Sequence, residues 1–530
     1  MLPTQVRAAE TIYANIGPAE RTISVDSLEI FVEEGQLPDD LKMFNRVLEP
    51  DVLEQIRQLL KQPINTNVVE ASQLTYSPLG EDFLRRLGTI IQTEAGQNGL
   101  YAMRSAIILA ADEPDGLTLL NVLRYFPTEG IRIDIAETLT VGQELFALTR
   151  VRDGALEAIA RQAEQEAASG VDFEFSLSSD LRNLGQYSVE QQVLTVTDTT
   201  RSSPLNAEER QFSVDLYLPQ RTTQPAPVIA ISHGLGAQRS EFRVLAEHLA
   251  SYGFAVFVPE HVGSNAELAE LRRSGNSFGK PSAAEFIDRP QDISFVLDEL
   301  ERLSQRDPNL RNRLALNQVG VIGHSLGGYT ALALAAGQIN DTHQNETCSN
   351  NSPTLNLSLI LQCQAIDLPP EPTNVQDPRI VAVMALNPVS STILGPESLS
   401  QIEVPVMMVQ ASEDVLAPMV PEQLIPFSWL TTSQKYLVTL FSGGHGSANQ
   451  TQPFEENLAT TVLTGPNTDL GSRYTRALSV AFMQMYVNDQ PLYEPYLSAA
   501  YAAYMSEETL NVELITRPVD IPRDRSAFSR

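Results

Sequence analysis

The residues best equipped for covalent chemistry lie around Gly323-His324-Ser325-Leu326-Gly327, where the run QVGVIGHS passes directly into LGGYTALALAAG. This is a G-x-S-x-G pattern between a β-rich run and a helical one. In that setting the serine backbone takes a strained turn that lifts the hydroxyl clear, and the glycines let strand and helix approach without Cβ clashes. A hydroxyl is a weak nucleophile near neutrality, so Ser325 needs a base, and histidine is the expected one. For a serine in this strand-turn-helix context the partners follow in chain order, the acid and then the histidine. Of six histidines, His233, His248, His261 and His324 precede Ser325, and His343 sits in a polar segment beside a cysteine. Only His445, in FSGGHGSANQ, follows the last β-rich run.

The acid is expected where VPVMMVQAS runs out, which offers Glu413 and Asp414. Asp414 is preferred, because Val-Leu-Ala-Pro418 after it suits a turn that carries such a group; Glu413 is the alternative. The carboxylate would fix the imidazole tautomer and stabilise the imidazolium without itself being protonated. Acyl chemistry also needs backbone donors aimed at the developing oxyanion. The amide of Leu326, at a helix N-terminus, is one candidate. The second is the amide of Leu235, in the loop His233-Gly234-Leu235-Gly236-Ala237 that follows PVIAIS. His233 is read as a structural hydrogen-bonding residue rather than a second base.

These groups must be held by a scaffold, and the pattern beyond about residue 170 supplies one. The runs FSVDLYLP, PVIAISHG, FAVFVPEH, QVGVIGHS, IVAVMALNP, VPVMMVQAS and YLVTLFSG alternate with helical stretches such as EFRVLAEHLASYG and DISFVLDELERLSQ. Four runs, at 228–232, 319–322, 380–386 and 404–409, are almost continuously apolar, as strands buried on both faces of a parallel sheet must be. The alternation means α/β. Before residue 170 the spacing is mostly helical, as in PDVLEQIRQLL and LYAMRSAIILAA. The expected organisation is an accessory, mainly helical domain over 1–170 and a catalytic domain over 171–530. The latter carries an insertion at about 340–377 and an extension after about 490.

Composition excludes several classes. With 36 basic and 66 acidic residues the net charge is −30, which repels a phosphate backbone and an anionic bilayer. No nucleic-acid partner is expected, and no integral membrane segment, because the long charge-free run from Leu314 to Asn340 is interrupted by Gly, Gln, Asn, His and Ser. Cys348 and Cys363 share one polar segment with a single nearby histidine, too few ligands for a zinc site. A disulfide between them is expected, with two free thiols as the alternative, and a disulfide would imply export. The start MLPTQVRAAETIYANIG lacks an export signal. The expectation is a periplasmic or extracellular protein whose signal is absent from this chain, with a cytoplasmic one the alternative.

Taken together, SHGLGAQRSEF, GHSLGGYTA, ASEDVLAP and GGHGS resemble the α/β-hydrolase superfamily over residues 172–490 or so. The nearest groups are the platelet-activating-factor acetylhydrolase and dienelactone-hydrolase-related esterases. The resemblance implies an α/β-hydrolase fold, a mostly parallel doubly wound sheet, with Ser325, Asp414 and His445 as the triad and Leu235 and Leu326 as oxyanion donors. The segment AAETIYANIGPAERTISVDSLEIFVEEGQLPDDLKMF resembles an uncharacterised domain found ahead of such hydrolases in photosynthetic bacteria, over roughly residues 8–150. Relatives with that domain typically carry an export signal before it.

The expected activity is hydrolysis of a small-molecule carboxylic ester of short to medium acyl length, through an acyl-enzyme, with no metal or organic cofactor. The alternatives are acyl transfer, thioester or amide cleavage on the same residues, or a non-catalytic binding protein of this fold. Oligomeric state is not legible.

Overall fold

A computed structural model describes residues 9–520 apart from 17–18, 47, 65, 77, 171–172, 203–208, 274–282, 349–355, 369–373, 450–464 and 466. The chain divides into two compact units, one built mainly from residues up to Ala147 and the other mainly from those after it.

The first unit contains helices, as its spacing leads one to expect, and also a small sheet. Strands β1 (Thr11–Ile16), β2 (Ala19–Ser24), β3 (Ile91–Thr93) and β4 (Gly130–Asp134) lie in the order β2-β1-β4-β3. Ile12 and Ala14 alternate inward from β1 and pack with Phe31, Val32, Met103, Phe126 and Ile131. That period of two over TIYANI is a strand signal that the surrounding helical runs mask.

The second unit is a nine-stranded sheet. Its strands are β5 (Val189–Asp198), β6 (Arg210–Pro219), β7 (Ala226–Ser232), β8 (Ala255–Pro259), β9 (Leu314–His324), β10 (Ile380–Leu386), β11 (Val406–Ala411), β12 (Lys435–Leu440) and β13 (Val512–Ile515). The order across the sheet is β13-β12-β11-β10-β9-β7-β8-β6-β5. Pairings from β8 through β12 are parallel, and β5, β6 and β13 add antiparallel edges. Continuous apolar runs form the centre because both faces are covered. In β7, Val228 and Ala230 enter one core while Ile229 and Ile231 enter the other. Helices Glu285–Arg306 and Leu326–Ala336 serve the first core, and Arg243–Ser251 and Thr468–Tyr486 the second.

The regions around the expected boundaries near 170 and 490 fold as follows. The helix Ile135–Ser169 ends where the boundary near 170 was expected, yet from Leu148 it groups with the second unit. The reason is its stripe Val151, Ala155, Ile159 and Ala163, spaced by four, which lies in the core that includes Phe212 and Val214. The extension after 490 supplies β13, which pairs with β12 from Leu437–Ile515 to Leu440–Val512. Of the insertion at about 340–377, Asp341–Cys348 and Leu357–Gln362 are helical, Cys363–Asp367 forms a 3-10 turn, and segments 349–355 and 369–373 fall outside the described residues. Cys348 and Cys363 form a disulfide.

Candidate active site

Ser325 stands between β9 and the helix Leu326–Ala336 with φ 57° and ψ −121°, a backbone state that a non-glycine residue adopts only when its surroundings force it. The forcing contacts are visible on both sides. A Cβ on Gly323 would lie 1.9 Å from the Gly327 carbonyl oxygen, and a Cβ on Gly327 would lie 2.0 Å from that of Ser232. The helix therefore closes against β7 and β9 only with glycine at both positions. The Ser325 amide donates to the Leu386 carbonyl at 2.9 Å, which ties the turn to the end of β10.

The end of β10 also holds the acid. Asn387, directly after Leu386, donates from Nδ2 to Asp414 Oδ2 at 2.8 Å. The other carboxylate oxygen, Oδ1, accepts the amides of Leu416 and Ala417 at 2.9 and 2.8 Å, closing the turn that begins at the end of β11. The Asp414 side chain is fully buried and four N–H groups meet its two oxygens, which fixes its position. His445 provides the fourth of these, Nδ1 to Oδ2 at 2.8 Å, so its proton is on Nδ1 and its Nε2 is free to act as an acceptor. Glu413 goes elsewhere: half exposed, it pairs with Arg152 at 2.8 Å.

The residue before the serine completes the arrangement. His324 Nε2 donates to the His445 carbonyl at 2.8 Å, and the two rings lie 4.8 Å apart. Burial, followed by the neighbouring His445, pulls the His324 ring down to about 3, so it is neutral and keeps one donor and one acceptor nitrogen.

The loop after β7 runs beside Ser325. A Cβ on Gly234 would sit 3.4 Å from Ser325 Cβ. His233 donates from Nδ1 to the Gly234 carbonyl at 2.8 Å and accepts the His261 amide on Nε2 at 3.0 Å, a structural role. Burial and then Arg289 hold its ring well below the usual histidine range. The amides of Leu235 and Leu326 meet no acceptor among the described residues.

A second serine, histidine and aspartate lie in hydrogen-bonded series, and neither the motif nor the chain order points to them. Ser232 Oγ and His261 Nε2 are 2.9 Å apart, and His261 Nδ1 and Asp292 Oδ2 are 2.9 Å apart. All three are fully buried. Asp292 is also clamped by Arg210, from Nε at 2.7 Å and Nη2 at 2.8 Å. Burial works against the Asp292 carboxylate, yet Arg210 holds it below the usual carboxyl range, and burial draws His261 down to about 4. With no access for water this set is structural. Among the described residues no group of three His, Cys, Asp or Glu is placed to hold a metal ion, and no helix is long and apolar enough to cross a membrane.

A mixed sheet, parallel at its centre, with a serine at a strained strand-to-helix turn defines the α/β-hydrolase class. Residues 227–341 match the family model described as α/β hydrolase fold, and residues 8–134 match one described as an α/β hydrolase of unknown function, DUF1400. The chain is 32% identical over 146 residues to "Hydrolyase poxO" of Penicillium oxalicum, covering 27% of this chain and 32% of the relative. It is 30% identical over 142 residues to the platelet-activating factor acetylhydrolase of Cavia porcellus, covering 22% of this chain and 33% of the relative. The matched region thus spans about a third of these relatives' length. Fold and matches relate the chain to the α/β-hydrolase superfamily.

Proposed function

We propose that the protein is a serine carboxylic-ester hydrolase working through an acyl-enzyme on small-molecule esters of short to medium acyl length. The observation that carries this is the His445 to Asp414 hydrogen bond, on a loop whose backbone is fastened to the residue next to Ser325. As the Ser325 oxygen bonds to the ester carbonyl carbon, its proton passes to His445 Nε2, and the carbonyl π electrons move onto oxygen. The amides of Leu235 and Leu326 receive that charge. Collapse breaks the carbon–oxygen bond to the alcohol, which leaves with the proton from Nε2. Water then repeats the sequence on the acyl-enzyme, giving the carboxylic acid and restoring Ser325. Asp414 stabilises the imidazolium in both halves.

The relatives named as acetylhydrolases support a short acyl group. The Cys348–Cys363 bridge supports an oxidising location, periplasmic or extracellular. The test is labelling by a fluorophosphonate probe with peptide mapping, run beside p-nitrophenyl esters of increasing chain length. Labelling at Ser325 and a kcat/KM maximum between about two and eight carbons are expected, each buried CH₂ contributing at most about 0.8 kcal/mol. An unlabelled Ser325 overturns the mechanism. A preference for palmitoyl esters overturns the substrate class.

A further inference from the structure

Arg289 lies on the buried face of the helix Glu285–Arg306, with its side chain wholly inside the protein. A guanidinium withdrawn from water needs its donors satisfied, and here two of them go to consecutive backbone carbonyls. Nη1 donates to the His233 carbonyl at 2.5 Å and Nη2 to the Gly234 carbonyl at 3.1 Å. Nε donates to Ser264 Oγ at 2.8 Å, and the Ser264 hydroxyl in turn donates a hydrogen bond to Glu285 Oε2 at 2.6 Å, so the carboxylate fixes the orientation of the fork. Burial lowers the guanidinium to about 10, which leaves it charged at neutral pH.

The consequence follows from the planarity of the peptide. In a trans peptide the C=O and the N–H of the next residue point in opposite directions. Holding the Gly234 carbonyl toward Arg289 therefore turns the Leu235 N–H away from it. The Gly234 carbonyl is held twice, by Arg289 and by His233 Nδ1, and the Gly236 amide is fixed to the Ser264 carbonyl at 2.7 Å. The same helix also reaches the nucleophile helix, because Tyr329 OH donates to the Phe286 carbonyl at 2.7 Å. One helix thus registers the Leu235 loop and the Leu326 turn against each other.

We infer that Arg289 is the positioning residue of the oxyanion site, aiming and polarising the Gly234–Leu235 peptide so that the Leu235 amide meets the charge formed on the substrate. This rests on the ester-hydrolase reading above. The guanidinium touches neither substrate nor Ser325. It acts through the peptide, whose N–H becomes a stronger donor when its carbonyl accepts a charged hydrogen bond.

Matched ester and thionoester substrates test it. The thionoester carries sulfur where the ester carries its carbonyl oxygen, and sulfur is a weak acceptor of amide hydrogen bonds. Arg289→Lys keeps the charge but loses the planar fork. It is expected to lower the ester kcat by about 10²-fold to 10³-fold, as loss of one oxyanion donor does, with KM changed less than about threefold. The thionoester kcat should fall less than about fivefold, so the ester-to-thionoester ratio collapses. Unchanged ester turnover, or an equal fall on both substrates, overturns the assignment.

If Arg289→Lys does not fold, Ser264→Ala removes the partner of Nε while leaving the guanidinium. There the ratio is expected to drop about threefold to tenfold, and an unchanged ratio overturns the assignment. Fluorophosphonate labelling of the unsubstituted chain separates the two levels of argument. Labelling at Ser325 with an unmoved ratio defeats the Arg289 role alone, whereas no labelling at Ser325 defeats the hydrolase mechanism and this role with it.

Discussion

His324 donates from Nε2 to the backbone carbonyl of His445 at 2.8 Å. The strained turn that presents Ser325 therefore also carries the backbone of the proposed base, although 121 residues separate the two histidines. His324→Ala frees the loop and should lower kcat by about 10²-fold, the size of effect expected when a reacting group is misplaced by about an ångström. His324→Gln, which retains a side-chain donor, should recover part of it. Turnover of both variants on a p-nitrophenyl ester checks this, and equal activity of His324→Ala and the unsubstituted chain would refute it.

Substitution of the proposed triad should separate its members from their neighbour. Ser325→Ala and His445→Ala are expected to cost on the order of 10⁴ to 10⁶ in kcat, and Asp414→Asn about 10⁴ through the wrong tautomer. Glu413→Gln should stay within about twofold, because it breaks only a half-exposed ion pair with Arg152. Steady-state kinetics on folded variants decide, and a larger loss for Glu413→Gln than for Asp414→Asn would reassign the acid.

Asn387 has φ 44° and a buried Oδ1 without a partner among the described residues, while its Nδ2 serves Asp414. Asn387→Gly tolerates the backbone and removes the donor. The expected result is a fall in kcat of about tenfold with KM little changed, measured on one short ester. A change confined to KM would place Asn387 against the substrate instead.

Protonation should be uneven among the histidines. Burial holds His248 and His261 near about 4, His324 near about 3, and His233 well below its ordinary value. Their imidazole ¹³C resonances should not shift between pH 8 and about 5. Once unfolded these rings bind protons below about pH 6.5, so each removes stability as pH falls from there toward its folded value. Burial raises Asp288 to about 6 and Glu241 to about 7, and these two act in the opposite sense, since the folded state binds their protons first. With Glu513 also raised by burial, four groups against three still leave net proton uptake on unfolding at pH 5. Denaturation midpoints that rise from pH 7 to pH 5 would contradict this balance.

The Cys348–Cys363 bridge closes a sequence separation of 15 residues, worth up to about 3 kcal/mol by chain entropy. Denatured, unreduced protein should show no reactive thiol. The Cys348→Ser/Cys363→Ser pair should melt several degrees lower, and an unchanged melting temperature would mean the bridge is dispensable for folding.

Much of the second unit can be read from the residues alone, because its central strands are buried on both faces and so appear as unbroken apolar runs, and because Gly323 and Gly327 mark a close approach that no other residue permits. The edges are harder. Strand β5, VEQQVLTVTD, keeps one face wet, and its glutamines and threonines hide it in a polar stretch. The small sheet around β1 is short and set among stronger helical patterns. Supporting residues leave even less trace. Asn387 precedes a proline and reads as an ordinary strand end. Arg289 resembles a solvent-facing charge until its spacing from Glu285, Asp292, Ile293 and Val296 shows that it shares the helix face that goes inward.

Ser232, His261 and Asp292 give this chain two answers to any coordinate search for a serine, a histidine and an aspartate in series. Distances alone would favour the buried set. What differs is that Ser325 keeps 9% of its surface exposed and is held in a backbone state that non-glycine residues rarely adopt, whereas Ser232 is fully buried at the end of a regular strand. In the proposed mechanism reactivity rests on access and backbone tension, and a template of three side chains records neither.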